Sequence, residues 1–503
     1  MNSKNLLINF APIFKEFGTD LVKTILKLNP EIKIIAICSG GDEIVNHVKK
    51  NINKKKIEKI IDLDFEEKKW LNLNQEIDFE YLNSYEHKFD NNYLGKLITA
   101  DRRLGFGYVS GARVRPNFIA DLSTKYPDKL SFIYIQNAIK FFESLFNSHS
   151  ISLVYSYTVS STIQLLVAYF SGFHSIKFRI LSATRILDRL HYDKCYLGKQ
   201  IEIEKHFNNK NYPLKIESKN AAIGFLNNYR KKQEPPEYTN FYLKPKIEFF
   251  LGFLKNITFI SVFYIKWILP KNIRQKFTKL KFRHKLFYLK LDIIKLVYNP
   301  KFETEIPSNK FAYFPLHVDP ESSTMVLEPY FTDQLTVIKN ISKALPSNMI
   351  LVVKEHIPMI GFRPRNFYKE ISSYPRVKLL DPSLDQFELI KKSTFVAIIT
   401  GSTGLEALLL KKKLLMLSSN TNYSFLKKGM IVQTDFSKIN NSINELIEMD
   451  CIDDQTLIRY ISIILENSLP ISSKFYLDYK GLNPIIKKNT LNTLSKKVIE
   501  DLN

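Results

Sequence analysis

The sequence predicts an α/β protein made of two doubly wound domains with a basic helical segment inserted between them. Three observations carry that expectation. Short apolar runs alternate with helix-like stretches in both halves of the chain. The runs that open at Phe311, Ile350 and Phe395 each stop abruptly at polar residues. Between the halves, Gly nearly disappears and Lys/Arg alternates with Phe, Tyr, Leu and Ile. Apolar runs of this length read as strands buried on both faces, the habit of a parallel sheet.

At 503 residues the chain is too long for one ordinary core, so two or three domains are expected. Hydrophobic residues make up 45% and aromatics 13%, which excludes a disordered chain. The net charge of +23 suits a polyanionic partner (nucleic acid, an acidic membrane face or a phosphorylated substrate), or else reflects a composition rich in Lys throughout. Cys38, Cys195 and Cys451 are too few and too far apart for a disulfide framework or a metal cluster, which points to a reducing cytoplasm. MNSKNLLINFAPIF contains an apolar run, but it is short, ends at Pro12 and lacks a small-residue cleavage site. It reads as a first strand, not as a signal peptide.

The N-terminal domain is expected over 1–195. NLLINF (5–10), KIIAIC (33–38) and IEKIIDLD (57–64) are strand-like, with a helix across Asp20–Leu28. Gly40-Gly41 after the second run is either a plain turn or a phosphate contact. DRRLGFGYVSGARVRPN (101–117) combines Arg with Gly in a spacing that matches neither standard phosphate-loop fingerprint. SLVYSY (152–157) is a strand and TIQLLVAYFSG (162–172) a helix ending at a Gly cap. The stretch 175–190 carries Arg179, Arg185 and Arg189, either facing a charged substrate or lying on a surface. The insertion spans 196–305. Its apolar part, 249–269, contains Lys255 and Lys266, so a membrane span is rejected. Residues 271–296 form a basic helix with aromatics interleaved. It fits an anionic membrane surface, single-stranded nucleic acid, or simple packing on the body with a solvated Lys face. The second domain is expected over 306–440, with strands at 311–316, 349–354, 376–380, 395–400 and 413–417, a short one at 430–433, and helices between them. C-terminal helices occupy 441–503.

Ligands of open α/β sheets sit just beyond the C-terminal strand ends. Three such ends would deliver His317 with Asp319 and Glu321, Lys354 with His356, and Gly401-Ser402-Thr403-Gly404 to one edge. Lys354 and His356, two apart at a strand end, would face the same way and neutralise a phosphate. The small residues 401–404 between strand and helix let a ligand reach free backbone N–H groups. Alternatively, Thr403-x-x-Glu406 is a capping box that needs no ligand. Glu406 would otherwise accept hydrogen bonds from ribose or sugar hydroxyls. Asp319 and Glu321 lack the partners a metal site requires, so hydrogen bonds to sugar or base are expected of them and no metal is expected. Walker A, GxGxxG after the first strand, HExxH, GxSxG and zinc spacings are all missing from the sequence, which weakens NTPase, dehydrogenase, protease and esterase readings.

VVKEHIPM (352–359) is similar to the Lys-x-His-Pro motif of GT-B glycosyltransferases of the bacterial capsular polysaccharide biosynthesis (Kdo-transferase-like) group, and TGSTGLEAL (400–408) to that group's Ser/Thr-rich turn followed by Glu-Ala-Leu. FPLHVDPESST (314–324) resembles a motif of proteins from surface-polysaccharide clusters. One departure is Ile357, which separates His356 from Pro358. The resemblance covers 310–420 and implies a GT-B fold of two Rossmann-like domains. It implies that Lys354 and His356 bind the donor phosphate, Ser402 and Thr403 phosphate or base, and Glu406 the ribose or sugar. The expected activity is metal-independent transfer of a sugar from a nucleotide donor, CMP- or UDP-linked, without a cofactor. The acceptor would be a glycan or a lipid-linked saccharide. The enzyme would be cytoplasmic and peripheral at the inner membrane face, and no nucleic-acid partner is expected. Glu16, Asp20 and Asp101 are candidate bases. A nucleotide-sugar epimerase, a polyol-phosphate transferase and a non-catalytic polyanion-binding protein remain as alternatives.

Overall fold

Buried β-branched runs set the architecture. In the computed structural model the described residues are 4–89, 93–104, 119, 122, 125, 127–233, 246–264, 279–297, 301–472, 475 and 479–503. The Gly/Arg-rich 105–117 segment, EPPE (234–237) and residues 271–278 of the basic stretch lie outside them. The chain divides into two compact units. One comprises Met1–Ala100, Asp128–Phe225 and Ile458–Asn503; the other comprises Asp101–Pro127 and Leu226–Leu457.

The first unit is built on a six-stranded sheet: β1 (Asn5–Phe10), β2 (Lys33–Cys38), β3 (Ile57–Asp62), β4 (Ile151–Ser156), β5 (Lys177–Ala183) and β6 (Leu190–Asp193), in the order β3-β2-β1-β4-β5-β6. β1 to β5 are parallel, and β6 returns antiparallel along β5. Every residue of β1 is buried, as a strand covered on both faces requires. Leu6, Ile8 and Phe10 point to one side, where Leu21, Val22 and Ile25 of the helix Lys15–Leu28 meet them. The C-terminal helix Pro484–Leu502 closes the same side with Leu491, Leu494, Val498 and Leu502.

The second unit repeats the plan with β7 (Lys310–Pro315), β8 (Met349–Lys354), β9 (Val377–Leu380), β10 (Phe395–Ile398), β11 (Lys413–Met416) and β12 (Met430–Val432), all parallel, in the order β12-β11-β10-β7-β8-β9. Strand order reverses between β7 and β10. That reversal opens a crevice at the C-terminal edge, where sheets of this kind take ligands. The helices Lys246–Tyr264 and Lys279–Val297 pair with each other through Asn256 Nδ2, which donates to Asp292 Oδ2 at 2.9 Å. Among the described residues no helix is long and apolar enough to cross a membrane. The fold class is α/β, with two units each built on a six-stranded, mainly parallel sheet flanked by helices and with further helices between the two sheets in the chain, as the sequence predicts.

Two of the three Arg residues of 175–190 are engaged within the first unit. Arg179 is buried and clamps Asp501 through Nε and Nη2 at 2.7 and 2.5 Å. Arg189 donates to Ser468 Oγ and to the carbonyls of Leu465 and Ser468. Both tie the first sheet to the C-terminal segment. Arg185 is exposed.

Candidate functional site

Because β10, β7 and β8 are neighbours in that order, their C-terminal ends place 399–404, 316–321 and 355–359 side by side. Hydrogen bonds then lace the first two together. His317 Nε2 lies 2.7 Å from the Thr400 carbonyl oxygen and 3.2 Å from the Thr400 nitrogen. The shorter contact assigns the ring proton to Nε2, which leaves Nδ1 an acceptor. Among the described residues Nδ1 is buried with no hydrogen-bond partner. Thr400 Oγ1 also donates to the Ser323 carbonyl at 2.9 Å. Burial pushes the His317 pKa down to about 4, with Arg363 and His356 adding to the effect and the Thr400 backbone opposing it. The ring is therefore neutral at neutral pH. Its backbone is held as well: the His317 N–H donates to Gln334 Oε1 and its carbonyl accepts from Arg363 Nη2 at 2.6 Å.

Lys354 ends β8 and is half-buried. Among the described residues its ammonium has no hydrogen-bond or ion-pair partner. Burial lowers its pKa to about 8, against the opposing pull of Asp385 and Asp381. His356 follows two residues later, also half-buried, and opens the short 3-10 turn Ile357–Met359. Burial lowers the His356 pKa too, Glu355 opposing and Lys354 and Arg363 reinforcing. The sequence places Lys354 and His356 close together, and the structure keeps them so.

The residue between them is the one that sequence reasoning missed. Glu355 points inward, with a side chain 0% exposed, and receives Arg363 Nε at 2.9 Å, Arg363 Nη2 at 3.2 Å and the Tyr368 hydroxyl at 2.9 Å. Burial alone would lower the Arg363 pKa, but Glu355 and then Asp319 hold it above its ordinary value. Asp319, 3.5 Å from Arg363 Nη1, is 1% exposed and belongs to this buried cluster. The cluster fixes the loops after β7 and β8 from beneath. Strand alternation was the available signal: a Glu between an outward-facing lysine and histidine must face the core and find a buried cation there.

On the β10 side, Gly401 has φ +106°, a conformation that glycine adopts without strain, and its carbonyl accepts the Tyr423 hydroxyl at 2.5 Å. The helix Ser402–Leu409 starts directly after it, with Gly401 as a cap that carries no side chain. The capping box expected from Thr403 and Glu406 is not formed, because the helix begins two residues earlier, with Gly401 and not Thr403 as its N-cap. Glu406 Oε2 and Thr403 Oγ1 instead accept from Gln386 Nε2 at 2.6 and 3.3 Å. The first N–H groups of the helix thus have no side-chain cap. Gly404 has no room for a Cβ, which would run into the Tyr423 hydroxyl. Glu321 is half-buried and caps the short helix Ser322–Met325 with its backbone, while its Oε2 accepts from Ser323 Oγ at 2.9 Å.

No family model matches this sequence, and no curated protein matches it. Solved structures with a similar course of chain include UDP-GlcNAc 2-epimerase from Methanocaldococcus jannaschii in complex with UDP-GlcNAc and UDP, 10% identical, covering 92% of this chain and 99% of its own at a TM-score of 0.29. MnaA of S. aureus with UDP is 13% identical, with 98% and 97% covered, at a TM-score of 0.25. The β Kdo 2,7 transferase KpsC of Thermosulfurimonas dismutans is 12% identical, with 64% and 88% covered, at a TM-score of 0.30. At such identities and TM-scores none of them carries an argument about what this chain binds.

Among the described residues no three His, Cys, Asp or Glu side chains converge as a metal-ligand set. Of the candidate bases, Asp101 is fully occupied. Burial would raise its pKa, but Arg103, bonded through N, Nε and Nη2, holds it below the usual carboxylate range. Asp20 accepts from the Tyr479 hydroxyl and Glu16 pairs with Lys480.

Proposed function

We propose that the second unit binds the phosphate and ribose of a nucleotide-activated sugar at the β10–β7–β8 edge, and that the chain transfers this sugar to a surface-polysaccharide acceptor, a growing glycan or lipid-linked saccharide. The observation that carries the reading is the meeting of three polar strand ends where strand order reverses. A half-buried lysine without an ion-pair partner among the described residues and a helix N-terminus without a side-chain cap stand there together. A departing nucleotide gathers negative charge on its phosphate. Fixed cations and N–H dipoles in a partly dry site stabilise that charge without reorganising. Lys354 and His356 take the phosphate from one side, and the N–H groups of Ser402 and Thr403 from the other. Glu406, steadied by Gln386, takes sugar or ribose hydroxyls. His317 and Glu321 position the intervening loop, and His317 Nδ1 offers an acceptor to a donor hydroxyl.

The helical insertion supplies a means of reaching a membrane-borne acceptor. Phe250, Leu251, Leu254 and Ile257 are exposed on the helix Lys246–Tyr264, beside a helix rich in Lys and Arg. Exposed apolar groups next to cations suit an anionic lipid surface.

The test is calorimetric titration with CMP, UDP, CDP, GDP and their sugars, followed by product analysis with and without a glycan acceptor. One nucleotide binds, and Lys354→Met and His356→Ala weaken it while leaving the fold intact; sugar then appears on the acceptor. Failure of every nucleotide to bind overturns the reading. Inversion of the free nucleotide sugar without any acceptor assigns the chain to epimerisation instead.

A further inference from the structure

The first unit carries a half-open pocket of about 230 Å³ where the end of β6 meets the start of the helix Ile201–Asn208. β6 runs antiparallel, with Leu190 opposite Ala183 and Asp193 opposite Ile180, so it carries the chain away from the C-terminal edge at which doubly wound sheets take their usual ligands. His191 and Asp193, two apart on β6, share a face. His191 is 4% exposed and Gln200, just before the helix, 5%. Among the described residues, His191 Nε2, Asp193 Oδ2 and Gln200 Oε1 are each buried without a hydrogen-bond partner, although the other Asp193 oxygen accepts the N–H groups of Lys194 and Cys195. Native proteins pair such groups, with a ligand or ordered water where protein does not reach. Three residues that line one pocket thus each hold a buried polar atom without a partner among the described residues, which marks the pocket as a place for a ligand.

We propose that this pocket binds the hydroxyl groups of a neutral sugar ring. Carboxylate and amide oxygens only accept, so the occupant must bring several donors. The charges of the lining residues balance: Lys194 and Lys199 stand beside Asp193 and Glu202, and Lys194 pairs with Glu202 at 2.5 Å, so neither an anion nor a cation is favoured overall. Burial pushes the His191 pKa down to about 4, so its ring is a neutral hydrogen-bonding group. Burial also raises the Asp193 pKa to about 6, which leaves a carboxylate above that pH. The Cys195 thiol is raised by burial and is not a thiolate, and no set of metal ligands converges here among the described residues. The volume is many times the ~10–15 Å³ that one water occupies by the same kind of measure. The site does not depend on nucleotide chemistry in the second unit, and loss of the one reading would leave the other standing.

The experiment is saturation-transfer NMR on the full chain, with methyl glycosides of glucose, mannose and galactose, N-acetylglucosamine and myo-inositol as probes. Ethanolamine and inorganic phosphate serve as cationic and anionic controls. At least one polyol binds in the millimolar range. Asp193→Asn and Gln200→Ala each weaken it roughly tenfold, the expected loss for one hydrogen bond to a charged or buried acceptor. The first unit's thermal unfolding transition stays in place in both variants, which reports that they fold, and nucleotide binding by the second unit stays unchanged. Should a variant fail to fold, the native chain still decides. No polyol bound at tens of millimolar overturns the proposal, as does preference for ethanolamine or phosphate, or polyol binding that both folded variants retain in full.

Discussion

At the scale of single residues, Lys354 carries the charge that the site offers, and its environment makes that charge depend on pH. The free lysine titrates at about 8, lowered by burial. An anionic phosphate binds the protonated form better, so binding takes up a proton wherever the free lysine has lost one. Nucleotide affinity should therefore be flat below pH 8 and fall above it, by up to about tenfold per pH unit. Lys354→Arg, whose guanidinium stays charged, should abolish that fall. Titrations across pH 7 to about 9.5 measure it; an unchanged affinity over the whole range in the native chain would show that the lysine is not desolvated or does not meet the anion. Lys354 and His356 were legible in the sequence because a strand end with a lysine and a histidine on one face is a local pattern. The inward turn of Glu355 could be read from strand alternation, but its pairing with Arg363 could not, since it joins a strand end to a residue eight positions on and only packing reveals it. Removing one partner of such a buried pair typically costs about 3–5 kcal/mol, which is why the pair holds the loops it joins.

At the scale of elements, the turn from β10 into the helix Ser402–Leu409 depends on two glycines for opposite reasons. Gly401 needs its backbone angle, and a Cβ there would meet nothing nearer than Ile398 Cδ1 at 3.8 Å. Gly404 sits inside a helix, where Ala is favoured by about 1 kcal/mol, yet a Cβ would strike the Tyr423 hydroxyl that holds the Gly401 carbonyl. Gly404→Ala should therefore destabilise despite its better propensity. Tyr423→Phe should lose the bond to Gly401 but open space at Gly404, so the double variant should be less destabilised than the sum of the singles by on the order of 1 kcal/mol. Denaturant titrations of the four chains give that coupling; additive losses would show that the hydroxyl is not the obstacle. The strand–turn–helix order here was legible from the apolar run and the small residues after it. The cap was not. Thr403-x-x-Glu406 has the right spacing for a capping box, but Gln386 from another helix engages both side chains, and a sequence pattern carries no record of that competitor.

At the scale of the whole molecule, both sheets were legible as buried β-branched runs, whereas the partner of the last helix was not, because an amphipathic face does not name what it covers. The helix Pro484–Leu502 lies on the first sheet, nearly five hundred residues from the strand that begins it. It buries Leu491, Leu494, Val498 and Leu502 beside Leu21 and Ile25, and its Asp501 receives Arg179 from β5. Full burial of each aliphatic side chain contributes about 1.5–3 kcal/mol, so the four together contribute roughly 6–12 kcal/mol. A domain has only about 5–15 kcal/mol of net stability. Truncation after Leu482 should thus unfold the first unit, and it would also leave Arg179 buried without its carboxylate. Because the second unit draws no residue from this helix, its own unfolding transition should persist. Differential scanning calorimetry of the native and truncated chains separates the cases. Retention of the first unit's heat absorption would mean that the helix adds little to its core, and loss of both transitions would mean that the second unit does not stand without the first.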